Sequence, residues 1–342
     1  MHQNTADRRS SLLVWGALAV VYVVWGSTYL GIAVAVESIP PLLSGAMRFV
    51  VAGLLLGGFL LARGGVAAFR MTRRQFFGAA VVGLLLLTFG NGMVAVSEQY
   101  ISTGLAALLV ASVPLWLVVF RIMVRDRPKL LTLAGVLVGF AGVAALSLSG
   151  AQAGSTFGIV VILFGSLSWS VGSFMSSRIA MPANPFAAST VEMLVGGVGL
   201  TVLGTGVGER VDLAAITGRS WTALAYLVVV GSLIGFTAFS WLLGHAPISL
   251  ISTYAYVNPV VAVVLGALVL NEQVTGQILV GGLVILVGVA LVISIERGGS
   301  PRSGEDPGKP GDGKPGDESA EADRVAPRDD PSHVSGGRPP RP

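Results

Sequence analysis

AGVLVGFAGVAAL at residues 134–146 returns as VGGLVILVGVALV at residues 280–292, 146 positions later. Working outward, Pro114 matches Pro259 at an offset of 145, and Trp25 matches Trp169 and Pro41 matches Pro185 at 144. The chain therefore reads as a duplicated hydrophobic unit. A unit with an odd number of spanning helices returns upside down in a bilayer, and a site then forms where the copies meet.

Hydrophobic residues make up 53% of the chain and charged residues 12%, with a mean hydropathy of +0.77. Long apolar runs separated by short polar gaps indicate a multi-spanning membrane protein. There is no cysteine, so neither a disulfide framework nor a thiolate metal site can form. His2, His245 and His333 are too scattered for a zinc site, and no metal or cofactor is expected. The pI of about 9.7 reflects arginines retained on one side of the membrane, not a nucleic-acid partner. Arg8 and Arg9 precede the first apolar run, and Ala33-Val34-Ala35 mimics a cleavage site. The run from Leu12 to Val36 exceeds a signal-peptide core, however, and reads as an uncleaved span.

Ten segments have the ~20 apolar residues that a span needs. They lie near 12–36, 41–62, 76–97, 102–123, 130–149, 157–178, 186–207, 221–243, 249–270 and 276–295. Continuous apolarity argues for helices over a barrel. The expected fold is an all-α membrane protein of ten helices in two inverted five-helix repeats, 12–150 and 151–297. They follow a short N-terminus (1–11) and precede a disordered tail (298–342) rich in Pro, Gly, Asp and Arg. One side would hold Arg8, Arg9, Arg63, Arg70, Arg73, Arg74, Arg125, Arg127, Lys129, Arg178 and Arg297. The other holds Arg210 and Arg219 beside Glu37, Glu98, Glu209, Asp212 and Glu272. This bias places both termini in the cytoplasm.

Candidate site residues follow from polarity at membrane depth. Arg48 lies about seven residues inside the second helix, about 10 Å deep at 1.5 Å per residue. Glu192 occupies the matching place in the seventh, 144 positions on. A charge inside the bilayer is costly and marks a functional position by default. Arg48 would meet an anionic group and Glu192 a cation or proton. The plainer reading has each reaching its interface or a helix end. Pro114 and Pro259 fall near mid-helix and would free the carbonyls of Val110 and Ala255, a pointer to helix breaks at a site. An ordinary packing kink is the alternative.

Tyr254, Tyr256 and Asn258 surround the second break with phenols and an amide. Trp15, Tyr22, Trp25 and Tyr29 share one helical face, with Trp15 in the interfacial belt. Asn91 is a buried amide in need of a partner. Ser166, Ser170, Ser173 and Ser177 form a stripe that reads as helix packing, and the pairs Gly53/Gly57 and Gly135/Gly139 allow close helix contact. Glu98 and His245 read as solvated helix-end groups, with proton coupling as the alternative.

The run Trp25-Gly26-Ser27-Thr28-Tyr29-Leu30 is followed by Pro40-Pro41, Arg48-Phe49, Gly90-Asn91-Gly92 and Val113-Pro114-Leu115. Then comes Ser252-Thr253-Tyr254-Ala255-Tyr256-Val257-Asn258-Pro259-Val260. Together these resemble the EamA family of the drug/metabolite transporter superfamily over about 12–295. The resemblance implies an inverted-repeat carrier exporting amino acids, small metabolites or toxic compounds. It places the cavity between the repeats and dimer contacts on the fifth and tenth helices. The expected substrate-binding set is Trp25, Thr28, Tyr29, Arg48, Asn91, Trp169, Glu192, Tyr254, Tyr256 and Asn258. The expected partners are a small-molecule substrate and membrane lipid.

Residues 14–36 hold no Asp or Glu within the span. They thus lack the first-helix acid of the small multidrug-resistance relatives. No Walker A pattern points to direct ATP use. A scramblase or channel is the rival reading. An intramembrane enzyme is a further one, for which no clustered nucleophile, acid and base is present.

Overall fold

The computed structural model describes residues 3–125, 128–149, 155–246, 248–251 and 253–297. The expected tail at 298–342 lies outside the described residues, as do Arg127, Ser252 and the side chains of Arg8, Arg9 and Arg297. Every regular element among the described residues is helical. The first half holds α1 (Gln3–Ala35), α2 (Pro41–Gly64), α3 (Arg73–Gly83), α4 (Gly92–Ser97), α5 (Thr103–Val110), α6 (Val113–Met123) and α7 (Leu130–Ser149). The second holds α8 (Ser155–Ser176), α9 (Pro185–Gly206), α10 (Gly218–Tyr226), α11 (Gly235–His245), α12 (Ile248–Ile251), α13 (Tyr254–Val269) and α14 (Gly276–Arg297).

The sequence sets these helix starts. Thr72 accepts from Gln75 N–H while the Gln75 side chain accepts from Thr72 N–H, a complete capping box at α3. Ser102 and Thr217 cap α5 and α10 with their hydroxyls. Asn184 caps α9 ahead of Pro185, whose missing N–H is harmless in a first turn.

Nine helical stretches among the described residues are long and apolar enough to cross a bilayer, and large side chains such as Leu130, Leu148 and Leu283 project outward from them. The protein is a multi-pass membrane protein. Within the expected span at 249–270, α12 ends at Ile251 and α13, a 16-residue apolar helix, starts at Tyr254, with Ser252 between them outside the described residues. Between them the Thr253 N–H (3.2 Å) and the Thr253 hydroxyl both donate to the Leu250 carbonyl.

Equivalent helices of the two halves pack antiparallel. Along α2, Gly45 faces Leu200 of α9, Gly53 faces Leu194 and Met193, and Gly57 faces Thr190. Along α7, Gly135 faces Leu291 and Val292 of α14, while Gly142 faces Ile285 and Gly281. The glycine faces of the fifth and tenth helices are thus used against each other within one chain. A left-handed residue follows the fourth and ninth helices at matched places, Arg125 with φ 65° and Asn271 with φ 54°.

Two carboxylates fasten one half to the other. Glu209, beyond α9, accepts from the N–H groups of Leu42 (3.2 Å) and Leu43 (2.9 Å) at the start of α2. Glu272, beyond α13, accepts from Thr103 N–H (2.8 Å), the Thr103 hydroxyl (2.9 Å) and Gly104 N–H (3.4 Å) at the start of α5. Helix starts carry unpaired N–H groups and a positive partial charge, so an anion belongs there. Glu272→Ala is expected to cost about 1–3 kcal/mol by stranding those donors. A thermal-shift measurement in detergent checks this, and an unchanged midpoint would show that the cap contributes nothing.

Candidate functional site

The site begins at Arg48. Seven residues into α2, it is only 5% exposed, and its neighbours are α9 and the second half's eighth span. Its Nε donates to the Ser232 hydroxyl at 3.1 Å, and its guanidinium carbon lies 4.8 Å from the Phe49 ring centroid. Nη1 is buried without a hydrogen-bond partner. A methyl group built on Gly231 would meet Arg48 Nη2 at 3.3 Å and Thr28 Cγ2 at 3.1 Å. Gly231 therefore brings α1, α2 and the eighth span together beside the guanidinium.

Ser232 lies in a π-helical turn, Leu227–Ile234, between α10 and α11. A second π turn, Leu84–Asn91, joins α3 to α4 in the first half, 143 positions earlier. Each sends a hydroxyl to the other half. Thr88 donates to the Gly196 carbonyl of α9 at 2.9 Å, and Ser232 accepts from Arg48 of α2. Wide turns of this kind cluster at functional sites because they re-aim side chains that a regular helix would stack. Neither contains proline, and only the glycines at 90, 92, 231 and 235 hinted at them.

An aromatic wall lies on α1, α11 and α13. The Trp25 ring sits 4.9 Å from Phe239, 5.2 Å from Tyr254 and 6.0 Å from Phe236, measured between centroids. Phe236 and Phe239 were absent from the sequence-derived set because nothing in an apolar helix separates them from packing residues. Thr28 donates its hydroxyl to the Trp25 carbonyl, within its own helix.

Glu98 corrects the sequence-based reading. It ends α4, as expected, but both carboxylate oxygens are buried and have no hydrogen-bond partner. Packing of α4 against α1, α2 and α8 folds it inward. His245 does lie exposed, stacked on Trp241 at 4.1 Å.

The remaining candidates make other contacts. With its amide nitrogen as donor, Asn258 bridges the Tyr254 and Tyr22 carbonyls at 3.2 Å each, clamping α13 to α1. The Tyr22 hydroxyl meets that of Thr253 across the same joint. Tyr256 packs on the apolar cluster around Leu105 and Leu109. Trp169 covers Gly90, where an added methyl would meet its ring at 2.9 Å, and Asn91 ends that π turn half-buried. Glu192 is half-buried on α9, its backbone pressed against Gly83 of α3.

Pro114 stands at the start of α6, just past a break at Ala111 and Ser112, whereas Pro259 lies inside α13. The two halves thus bend about one turn apart in register. Along the serine stripe, Ser166, Ser170 and Ser177 bond carbonyls of their own helix.

The arrangement offers one buried cation with an open donor, one buried carboxylate with open acceptors and an apolar aromatic wall, reached from both halves. No group of three metal-ligating side chains occurs among the described residues.

Comparison with known proteins agrees with this geometry. The model of the EamA-like transporter family matches residues 12–148 and again 156–294. The chain is 41% identical over 260 residues to the uncharacterized inner membrane transporter YedA of Escherichia coli (strain K12), covering 75% of this chain and 83% of that protein. It is 25% identical over 278 residues to the uncharacterized transporter YvbV of Bacillus subtilis (strain 168), covering 80% and 90%. A crystal structure superposes with a TM-score of 0.59 at 20% identity, covering 84% of this chain and 99% of the other, and so shares the fold.

Proposed function

The chain belongs to the EamA-like transporter family, and from that membership we propose that it exports amino acids, small metabolites or toxic compounds by alternating access. Ten helices in two inverted repeats, 12–150 and 151–297, would carry it, with both termini in the cytoplasm of a bacterial inner membrane. The observation that carries this reading is Arg48. A family transporter keeps a guanidinium buried between its halves with Nη1 unpartnered, where an anionic group of a cargo would complete it. Trp25, Thr28, Tyr29 and Tyr254 would line the rest of the cavity. Asn258 and the π turns would transmit closure from one half to the other. Asn91, Trp169 and Glu192 would serve the opposite half of the path, and Tyr256 the wall behind it.

Inversion is supported by the antiparallel pairing of α2 with α9 and of α7 with α14. A homodimer would have to use the outer faces of α7 and α14, since their glycine faces are filled within the chain. The test compares metabolites inside and outside cells with and without this gene. Extracellular enrichment of a defined class supports export. Intracellular accumulation of that class overturns the direction, and no difference overturns the carrier reading for those conditions.

A further inference from the structure

Arg63, Arg70, Arg73 and Arg74 gather at the turn between α2 and α3, and neither Asp nor Glu occurs from Ser38 to Ser97. Arg70, Arg73 and Arg74 are exposed, and no described carboxylate pairs with them. The apolar stretches Pro41–Phe69 and Arg73–Ser97 leave only residues 70–72 between them. The turn therefore sits where hydrocarbon gives way to lipid headgroups. Beside it the surface opens into a cleft of about 460 Å³ lined by Met71, Thr72, Arg73, Phe76 and Phe77. Small-molecule sites occupy about 300–1,000 Å³. Arg73 precedes Phe76 and Phe77 by three and four positions, so cation and rings share one face of α3. The two rings meet edge to face at 5.8 Å and are 42% and 64% exposed. Gly78, Ala79 and Val82 form the buried face. Thr72 and Gln75 already cap the start of α3, so side chains and not the helix end supply the positive charge.

The second copy of this turn shows that the fold itself does not require bare cations. Gly208 and Thr217 match Gly65 and Thr72: both glycines have positive φ, and both threonines cap the helix that follows. In that copy Glu209, Arg210, Asp212 and Arg219 mix acids with bases. Glu209 is engaged by the N–H groups of Leu42 and Leu43, and Arg219 pairs with Glu37 at 3.3 Å. We propose that the Met71–Phe77 cleft binds an anionic phospholipid: Arg73 and Arg74, with Arg70 beside them, take the phosphate, and Met71, Phe76 and Phe77 cover the upper part of the acyl chains. Three features select this occupant. A phosphate fits the guanidinium fork. A basic turn at the bilayer surface attracts anionic headgroups. Exposed rings at the end of a span need an apolar partner, which a soluble anion lacks.

The test uses the full-length protein with a photoreactive phenylalanine analogue in place of Phe77, in nanodiscs of phosphatidylcholine mixed with phosphatidylglycerol. Mass spectrometry reads which lipid is crosslinked. Phosphatidylglycerol is expected to exceed its share of the bilayer by about fivefold or more at this position. The same analogue in place of Val207, exposed in the second copy of the turn, is expected to report the bulk share. Arg73→Gln combined with Arg74→Gln is expected to bring the Phe77 position down to that share as well.

A bulk share at the Phe77 position, with the arginines in place, overturns the site. Equal enrichment at the Phe77 and Val207 positions overturns it too, because the whole protein would then gather anionic lipid without a local site. Undiminished enrichment in the double arginine variant removes the arginines from the site, and the proposal with them. Loss of the enrichment in excess glycerol phosphate would make a soluble phosphate compound the occupant and overturn the lipid. The comparison of the two positions stands even if the arginine variant does not fold.

Discussion

Arg48→Ala is expected to lower transport by about 100-fold or more in protein that reaches the membrane in normal amounts. Hydrogen bonds to charged groups contribute about 1.5–3 kcal/mol each, so losing two such bonds to an anionic cargo costs at least two decades of affinity. Folding should be spared, because removing a buried cation also removes its desolvation cost. In the structure that cation has one strong tether, Ser232, and one ring contact, Phe49. Arg48→Lys keeps the charge but loses the planar fork and the Nε bond, and it should retain only a small part of the activity. Counterflow in proteoliposomes at matched protein amounts checks both variants. A wild-type rate in Arg48→Ala would remove Arg48 from the site.

Gly288→Ala is expected to remove most folded protein. The added methyl would lie 2.4 Å from Gly139 N, 2.5 Å from Gly139 Cα and 2.7 Å from the Gly135 carbonyl oxygen. All three are backbone atoms of α7, so no rotamer change relieves the clash and the helices must separate. Overpacking of this kind costs about 1–3 kcal/mol and more where nothing can yield, against a total stability of about 5–15 kcal/mol. Separation would also open the longest seam between the halves, because α7 and α14 pack along most of their lengths. The monodisperse fraction in size-exclusion chromatography reads the outcome. Gly276→Ala is the control, since a methyl there meets nothing within 4 Å. Equal monodispersity of the two variants would show that α7 and α14 do not depend on backbone contact.

Much of this was legible in one dimension. The match of 134–146 with 280–292 predicted a duplicated membrane protein, and α7 and α14 do pair through those very segments. Hydropathy located nine of the spans because solvation by lipid acts on every residue of a helix at once. The ninth segment, 249–270, carries the shorter apolar helix α13 and includes Ser252, which lies outside the described residues. Residues of the site were harder to find. Arg48 stood out, since a charge in an apolar run has few meanings. Trp25 and Tyr254 stood out as aromatics near it, whereas Phe236 and Phe239 resemble any core phenylalanine.

Glu98 shows where such reasoning stops. A carboxylate at a helix end reads as solvated, and hydropathy places it beside water. Whether it faces water or protein depends on how α4 rotates against α1, α2 and α8, which is settled by contacts between residues far apart in the chain. The same holds for the two π turns, whose position depends on hydroxyls reaching the opposite half. Composition and spacing by themselves determined a membrane-embedded, duplicated, all-helical protein, because those signals are sums along the sequence. Which polar groups were left facing one another inside it was decided only by the tertiary structure, because burial and unmet hydrogen bonds are properties of neighbours in space.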